Sequence, residues 1–444
     1  MIRRRKLFYG WWMVLAAGML NFLAGGVFIY GKTVFFNPIR KTFGWNYAAT
    51  SVAYSLQRFE QGIFGPVAGF LLDRVGARKL MIAGWFVAGL GFILMSRINS
   101  LWEFYGSFLV LAIGMSFGAY LVPDATIANW FIKKRSRAMT LVKTGSGIGT
   151  VLVPLLVLSI TQFGWRQTEV FIGLLLWVLA VPLSSFMRHR PEQYGYLPDG
   201  KTRAEIDEST NAPNPGSSSE IAKPDSISSS TSLTVKEAMR TRAFWLIALA
   251  FASQHIGTSA VMVHIVPYLE SVGIATTIAA TAVTGMGLTS LIGRIGFGTL
   301  GDFFRKRYLI AIALTFQTAG IFLFSFINMD RAWLIIPFLL IYATGYGATI
   351  PLRVPLQADY FGTRHFGSII GLMLTISMSA AIASPIIAGW IFDITGGYQL
   401  AWRLFSLMTL PGIPLMLLAK PPRDKPELEA TTPLSDLPSQ RIPH

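Results

Sequence analysis

Residues 69–79 read GFLLDRVGARK, and part of this stretch occurs a second time in the chain. Residues 298–303 read GTLGDF, so the glycine at position 69 is matched by a glycine 229 residues later. A second pair of landmarks, Trp130-Phe131 and Tyr360-Phe361, is separated by 230 residues. Two independent landmarks with almost the same period predict an internal duplication, in which each half of the chain forms one structural unit.

The composition is that of a membrane protein. The chain has 444 residues, of which 52% are hydrophobic and only 14% are charged, and its mean hydropathy is +0.51. Soluble proteins carry about 25% charged residues, so this chain has too few charges to cover a water-exposed surface. The absence of cysteine excludes a disulfide framework, thiolate metal sites and a cysteine nucleophile, and five histidines leave little material for a metal centre. We therefore expect an integral membrane protein that uses no cofactor.

Twelve apolar runs approach the length of about 20 residues that a helix needs to cross a bilayer. Lys and Arg are distributed unevenly between the segments that join these runs: 27 fall on the side of the N-terminus, six on the opposite side and five within the runs. This bias predicts that both termini are cytoplasmic, and it accounts for the net charge of +16 without nucleic-acid binding. The runs start near Gly10, Tyr47, Lys79, Leu101, Ala138, Gln167, Arg242, Thr276, Arg307, Ala332, Phe366 and Tyr398.

The predicted fold is an all-α membrane protein with twelve transmembrane helices in two pseudo-symmetric six-helix halves. Residues 1–187 and 237–420 are the two predicted bundles. Residues 188–236 are polar and rich in serine and proline, which predicts a flexible cytoplasmic linker, and residues 421–444 predict a disordered cytoplasmic tail. The linker ends in Thr234-Val-Lys-Glu237, whose spacing is that of a capping box and predicts a short helix before the seventh span.

The stretch 69–79 resembles the signature between helices two and three of the major facilitator superfamily. Other segments resemble the monocarboxylate porter family within it, namely residues 9–12, 44–51, 130–149, 359–362 and 393–398. The resemblance covers nearly the whole chain and implies a carrier whose substrate binds near mid-membrane, between the two halves. It also implies a conformational gate at the cytoplasmic helix ends, where an aspartate can cap a helix and pair with arginines. The gate candidates are Asp73, Arg74, Arg78 and Asp302.

Charged residues inside the hydrophobic runs are candidates for function because each costs a few kcal/mol to insert into a membrane. Arg294 lies about 12 Å into helix eight, measured from Asp302. By resemblance it aligns with the arginine that family members use to hold the substrate carboxylate, a task that suits a planar guanidinium. The alternative is an arginine that packs against a helix end or against backbone carbonyls. Animal members carry an aspartate one turn earlier, where this chain has Ser290, so the resemblance does not extend to a proton relay through that aspartate.

Glu60 is the only carboxylate that the sequence places near mid-membrane, about 20 Å from Asp73 along helix two. It can act as a proton carrier that is protonated in one half of the cycle, or as a permanent counter-ion of a buried cation such as Arg58. Arg58, itself a candidate for substrate binding, is two residues away, so the two side chains point about 200° apart on an ideal helix. They are not expected to pair directly, and both roles of Glu60 stay open at this point.

Six further side chains within the predicted helices are candidates. Lys32 resembles the family's helix-one lysine and is placed near the outer end of its helix, where it binds substrate or snorkels to the interface. His255, about 20 Å deep in helix seven, binds substrate and carries protons, or forms a hydrogen bond between helices. Lys143 and Arg353 lie only about 9–11 Å from the cytoplasmic helix ends, which predicts gate residues. Two tyrosines, which either line the substrate cavity or serve in packing, complete the set: Tyr120 and Tyr346.

These residues predict a secondary active carrier for small organic anions that works by alternating access. The expected cargo is a monocarboxylate such as lactate or pyruvate, moved with protons by a monomer in the plasma membrane. One alternative is an exchanger of the oxalate–formate type, whose members use a second cation on helix eleven, although residues 366–392 contain no Lys or Arg. Another is a non-transporting membrane sensor that signals through its linker. The chain has no catalytic set of residues and no P-loop, so neither an enzyme nor ATP-driven transport is expected.

Overall fold

The computed structural model describes residues 8–131, 134–189, 191–194, 199, 233–301, 303–362 and 366–421. Most of the predicted linker, almost all of the predicted tail, and Asp302 lie outside these described residues. Within the described ranges the chain is helical and contains no strand. The expectation of an all-α fold is therefore confirmed.

Twelve long helical segments make up the described part of the two halves, and each begins within three residues of its predicted start. We number them α1–α12 in chain order and leave the short helix Val235–Arg240 outside this numbering. Residues 135–163 form α5 and residues 165–184 form α6. The other bounds are α1 Tyr9–Phe43, α2 Tyr47–Val75, α3 Ala77–Met95, α4 Leu101–Trp130, α7 Arg242–Ser271, α8 Thr276–Leu300, α9 Lys306–Phe324, α10 Ala332–Phe361, α11 Phe366–Thr395 and α12 Gln399–Leu418.

Among the described residues, ten helices are long and apolar enough to cross a membrane. One of these ten, Arg137–Ser184, is 48 residues long and is interrupted at Gly164, whose φ of 80° suits glycine and divides it into α5 and α6. α2 is not among the ten although it has 29 residues, because charged residues such as Arg58 and Glu60 interrupt its apolar sequence. These two features account for the difference between ten apolar helices and twelve helical segments.

Polar side chains at the turns determine where several helices begin. Asn46 caps α2 and Ser100 caps α4, each through a side-chain oxygen that accepts a hydrogen bond from the backbone N–H three residues later. Thr234 and Glu237 form both hydrogen bonds of a capping box, which confirms the short helix predicted before α7. These caps satisfy N–H groups that would otherwise lack a partner at each helix start.

Glycines let particular helices approach each other closely. α8 and α10 cross where Gly293 lies against the carbonyl of Thr344 and Gly347 lies against the carbonyl of Ser290. A Cβ atom at either glycine would overlap these backbone atoms. α1 and α5 cross in the same way at Gly145. Small residues serve close helix packing in membranes, so these glycines have a structural reason that is independent of any cargo.

Polar contacts join the two halves, α1–α6 and α7–α12, at one end of the bundle. We call the end at which α1 starts and α2 stops the near end, and the opposite end the far end. At the far end the Thr33 hydroxyl donates a hydrogen bond to the carbonyl of Val263, over 2.8 Å. The backbone N–H groups of Tyr47 and Ala48, at the start of α2, donate to the carboxylate of Asp393 in α11, each over 2.9 Å. The far end of the molecule is therefore closed by contacts between the halves.

Candidate functional site

Arg294 lies in α8 on the surface that faces the other half of the molecule. Its side chain is 8% exposed, and its Nη1 donates a 2.8 Å hydrogen bond to the backbone carbonyl of Lys143 in α5. The alternative to substrate binding was an arginine that packs against backbone carbonyls, and the guanidinium does donate a hydrogen bond to one. This carbonyl, however, belongs to the opposite half of the molecule. The Nε of Arg294 is buried and donates to no atom in the described part of the chain. Arg294 therefore keeps donor capacity at the boundary between the halves.

Tyr30 lies near this guanidinium, and two further tyrosines lie near Tyr30. Tyr30 of α1 is close to Arg294, Ser290 and Tyr346, and Tyr342 of α10 is close to Tyr30 and Tyr346. The hydroxyls of Tyr30 and Tyr342 are buried, and neither forms a well-aligned hydrogen bond within the described ranges. With the Nε of Arg294 they make three buried donors that have no well-aligned acceptor in the described part of the chain. A carboxylate offers about four lone-pair sites on two oxygens, which is what such a group of donors requires.

Wide helical turns orient several of these residues. α1 has a π-helical turn at Gly25–Ile29, directly before Tyr30, and α10 has one at Leu339–Ala343, which contains Tyr342. A third, at Ser116–Tyr120 in α4, ends on the half-buried side chain of the predicted cavity residue Tyr120. Such turns are frequent at functional sites. Hydrophobic periodicity carries no signal for them, and for this reason Tyr30 and Tyr342 were not among the predicted site residues.

A hydrogen-bonded network fixes the helices of the C-terminal half around the tyrosines. Gln254 of α7 donates to Gln317 Oε1 of α9 over 3.3 Å and to Thr349 Oγ1 of α10 over 2.8 Å. The Thr258 hydroxyl also donates to Gln317, over 3.3 Å, and Gln317 donates to the carbonyl of Gly345 over 3.1 Å. All of these side chains are buried. The network links α7, α9 and α10 into one framework, and α8 packs on α10 through its glycine crossing.

Glu60 is a buried carboxylate in α2, with 1% of its surface exposed. The Ser116 hydroxyl of α4 donates to its Oε2 over 3.0 Å, while its Oε1 is buried and has no partner among the described residues. The side chain of Arg58 lies outside the described residues, and no described cation forms an ion pair with Glu60. Asp124 of α4, by contrast, lies 2.7 Å from the Nζ of Lys143. Glu60 can therefore gain or lose a proton without breaking an ion pair of the described structure.

Lys32 lies deeper than the sequence indicated. α1 continues to Phe43, because Ile39 and its neighbours are buried against the core, so Lys32 is about 16 Å from the far end of its helix. The prediction that it lies near the outer end is therefore wrong. Its side chain is 7% exposed and its Nζ donates to Gln57 Oε1 over 2.5 Å, which also rules out snorkelling. Glu169 of α6 lines the same narrow cavity and is a buried carboxylate that sequence reasoning missed.

His255 and Arg353 form a pair within the C-terminal half. The Nη1 of Arg353 in α10 donates to the Nε2 of His255 in α7 over 2.8 Å, since a guanidinium can only donate. The guanidinium also lies 4.4 Å from the ring centre of Phe251. His255 thus takes part in a hydrogen bond between helices, and its roles toward substrate and protons stay predictions. The predicted gate residue Lys143 is likewise paired within its own half, with Asp124.

The remaining gate candidates lie at the near end, and their role stays a prediction. Arg74 is exposed, and its guanidinium lies 4.3 Å from the ring centre of Phe70 in its own helix. Arg78 is exposed as well. The side chain of Asp73 and the whole of Asp302 lie outside the described residues.

The far end holds a polar cluster whose function sequence reasoning did not foresee. The carboxylate of Asp393 caps α2 of the other half by accepting hydrogen bonds from Tyr47 and Ala48. The N-terminus of a helix has free N–H groups and a dipole that favours negative charge, so this contact is stabilising. His264 of α7 is fully buried toward the same end and lies 3.2 Å from the hydroxyl of Ser51 in α2. Asp393 therefore joins the two halves at the far end, and we call this contact the far-end lock.

We expect Asp393→Asn to loosen this lock, because the amide lacks the charge that the helix dipole favours. The loss of about 1–1.5 kcal/mol should raise the population with an open far end roughly tenfold. Spin labels at Lys41→Cys and Ser271→Cys, two exposed far-end positions in a chain without native cysteine, measure this population as a longer distance. Asp330→Asn, an exposed carboxylate at the same end, is the matched control. An unchanged distance distribution for Asp393→Asn would contradict the lock.

Comparisons with known proteins agree with this architecture. The family model of the Major Facilitator Superfamily matches residues 14–383 and 247–443. A bacterial homolog of the human lysosomal transporter Spinster, solved in an inward-facing and unoccupied conformation, has the same fold with a TM-score of 0.68. Its sequence identity is 17%, and the match covers 93% of this chain and 97% of that one, so this likeness concerns the fold alone.

Curated relatives narrow the family further. Monocarboxylate transporter 12 of Xenopus laevis is 27% identical over 414 residues, which cover 90% of this chain and 86% of the relative. Monocarboxylate transporter 2 of Homo sapiens is 24% identical over 405 residues, covering 88% and 81%. These relatives are transporters and not enzymes. The chain belongs to the major facilitator superfamily and is a transporter related to the monocarboxylate transporters.

Proposed function

We propose that this protein is a secondary active carrier that moves a small monocarboxylate, such as lactate or pyruvate, together with a proton. The observation that carries the proposal is a set of three buried donors without a well-aligned acceptor among the described residues: Arg294 Nε, Tyr30 Oη and Tyr342 Oη. These donors come from both halves of the molecule, so one carboxylate bound among them would contact both halves at once. The names of the relatives, which are monocarboxylate transporters, support this class of cargo.

Arg294 couples cargo binding to the movement of the halves in this proposal. Its Nη1 bonds the carbonyl of Lys143 across the boundary, while Asp393 closes the far end. A carboxylate is a stronger acceptor for a guanidinium than a neutral carbonyl, so bound cargo competes for Arg294 and weakens the contact between α8 and α5.

Glu60 is the proposed proton carrier. Its Oε1 has no partner among the described residues, so protonation there disrupts no hydrogen bond of the described structure. It lies in α2, the helix whose start Asp393 caps, so a change in its charge acts on a helix that takes part in closure. His255 is the second candidate, because protonation of its Nε2 would break its hydrogen bond with Arg353.

The proposed topology has twelve spans, with both termini in the cytoplasm and the carrier acting as a monomer in the plasma membrane. The break at Gly164 supports counting α5 and α6 separately, and the length of α2 supports counting it as a span. The excess of Lys and Arg on the near side supports the orientation. The proposed division into two bundles, 1–187 and 237–420, joined by a cytoplasmic linker and followed by a cytoplasmic tail, completes this topology.

Uptake of labelled lactate into proteoliposomes under an imposed proton gradient tests the proposal. We expect accumulation above the external concentration, and its loss when a protonophore dissipates the gradient. Flux that depends only on an anion on the opposite side would instead identify an exchanger. Exchange is the second candidate because the C-terminal half contains a second guanidinium within the bundle, the half-buried Arg353, although α11 has none. Binding of lactate without any flux would favour the sensor and overturn the proposal.

A further inference from the structure

The C-terminal half has an unusual distribution of charge. Between Ala243 and Ala358 the only acidic residues are Glu270, Asp302 and Asp330. Glu270 and Asp330 lie at or beyond the ends of helices, and Asp302 falls in the sequence between α8 and α9, outside the described residues. Residues 366–392 contain no charged residue at all. The middle of α7, α8, α10 and α11 therefore contains two guanidinium groups and an imidazole but no carboxylate. None of the described carboxylates forms an ion pair with either guanidinium.

Arg353 lies on the near side of Arg294. The contacts between α8 and α10 show how far each arginine lies from the near end. Gly347 of α10 lies against Ser290 of α8, and a Cβ on Gly301 at the end of α8 would meet Leu352 of α10. Arg353 is accordingly one to two helical turns, roughly 5–10 Å, closer to the near end than Arg294. The side chain of Arg353 extends from α10 toward His255 in α7, and it is partly exposed although it lies within the bundle.

We propose that Arg353 forms a second carboxylate-binding site, through which the cargo passes between the near end and Arg294. The inference rests on the proposed function, because it assigns a second position to the same cargo. His255 acts as a positioning residue that holds one edge of the guanidinium through Nη1, and the ring of Phe251 supports its face. A guanidinium has five N–H donors, so the donors beyond the one that bonds His255 can form a two-point contact with a carboxylate.

A purely structural role explains Arg353 less well. A buried guanidinium that only braces two helices usually has a carboxylate partner, since a charge in the bundle interior is costly when it is not paired. Within the described ranges the partners of Arg353 are the imidazole lone pair of His255 and an aromatic face, and neither carries a negative charge. An anion that enters from the near end would supply the missing negative charge. Two successive cationic positions also let a carboxylate leave Arg294 without passing directly into a low-dielectric region.

Saturation-transfer-difference NMR of lactate with the purified full-length protein can count the sites. We expect Arg294→Gln to weaken but retain the lactate signal, and the double variant Arg294→Gln with Arg353→Gln to reduce it at least tenfold further. Arg331→Gln, an exposed arginine at the far end, is the matched control in the same background and should retain the signal. Arg353→Lys should restore part of the signal, since an ammonium binds a carboxylate without the two-point geometry.

The outcomes separate the two proposals. Loss of the whole signal in Arg294→Gln, with no further effect of Arg353→Gln, would overturn the second site while leaving the carrier intact. No lactate signal in the wild-type protein would overturn the proposed cargo, and the second site with it. If Arg294→Gln does not fold, titration of the wild type and of Arg353→Gln decides instead. A two-phase lactate titration that becomes single-phase in Arg353→Gln supports the second site, and identical titrations contradict it.

Discussion

Replacement of Arg294 by glutamine is expected to reduce lactate uptake at least a hundredfold, to the level of protein-free vesicles. The guanidinium supplies a buried, charge-assisted contact to the carboxylate, and truncation of such a partner costs about 3 kcal/mol or more. That free energy corresponds to roughly a hundredfold in affinity. Glutamine keeps a polar side chain of similar reach, so the effect isolates the charge and the forked geometry. Initial rates of labelled lactate uptake into proteoliposomes measure this loss.

Two further variants, one at Arg294 and one at another arginine of the same half, help to interpret that result. Arg294→Lys retains the charge without the planar fork, so we expect it to recover only part of the rate, mainly through a higher KM. Arg403→Gln removes an exposed arginine of the same half and should leave uptake unchanged. Uptake by Arg294→Gln within threefold of wild type would show that the arginine only braces α8 against the carbonyl of Lys143.

Features that repeat along the chain could be predicted from the sequence. The start of every long helix was within three residues of its prediction because apolar runs, caps and glycines act locally. The capping box at Thr234 and Glu237 is an example, since both of its hydrogen bonds lie within four residues. The choice of Arg294 also used local information, namely a charge inside an apolar run. The structure adds that this charge lies at the boundary between the halves, where Arg294 contacts the carbonyl of Lys143.

Features that depend on distant residues or on local irregularity were missed. The depth predicted for Lys32 was wrong because α1 continues to Phe43, well beyond the span of about 20 residues expected from a start near Gly10. Tyr30 follows a π-helical turn that shifts the register of its helix, and periodicity cannot reveal such a turn. The role of Asp393 depends on α2 of the other half, more than 300 positions earlier in the chain, so no spacing rule could identify it.

The two halves also differ in the chemistry of their buried groups. The N-terminal half contains the helix carboxylates Glu60, Asp124 and Glu169, whereas the interior of the C-terminal half contains arginines and no carboxylate. The proposed proton carrier Glu60 thus lies in a different half from the arginines that are proposed to bind the anion. This separation suits coupled transport, because the proton then acts on one half while the cargo contacts both halves through Tyr30 and Arg294.

Glu60→Gln is expected to abolish accumulation of lactate against its gradient while exchange across the membrane continues. Glutamine resembles the protonated carboxyl group in shape and can keep the hydrogen bond from Ser116. If Glu60 is the proton carrier, the variant is fixed in the cargo-loaded protonation state and cannot use the proton gradient. The ratio of internal to external lactate under an imposed proton gradient should then fall from severalfold to about one. The rate of counterflow of labelled lactate should stay within roughly threefold of wild type. Parallel assays of driven uptake and counterflow in the same vesicles measure both quantities.

The same experiment distinguishes the carrier from the counter-ion. A permanent counter-ion that is neutralised leaves a buried cation unpaired, which costs several kcal/mol and would abolish counterflow together with accumulation. Glu103→Gln removes an exposed carboxylate of the same half and should leave both assays unchanged. Accumulation that persists in Glu60→Gln would exclude Glu60 as the carrier and leave His255, whose Nε2 accepts the hydrogen bond from Arg353, as the group to test next. Because the cargo contacts and Glu60 lie on different helices, loss of coupling without loss of exchange is the specific result that the proposed separation of cargo binding from proton binding requires.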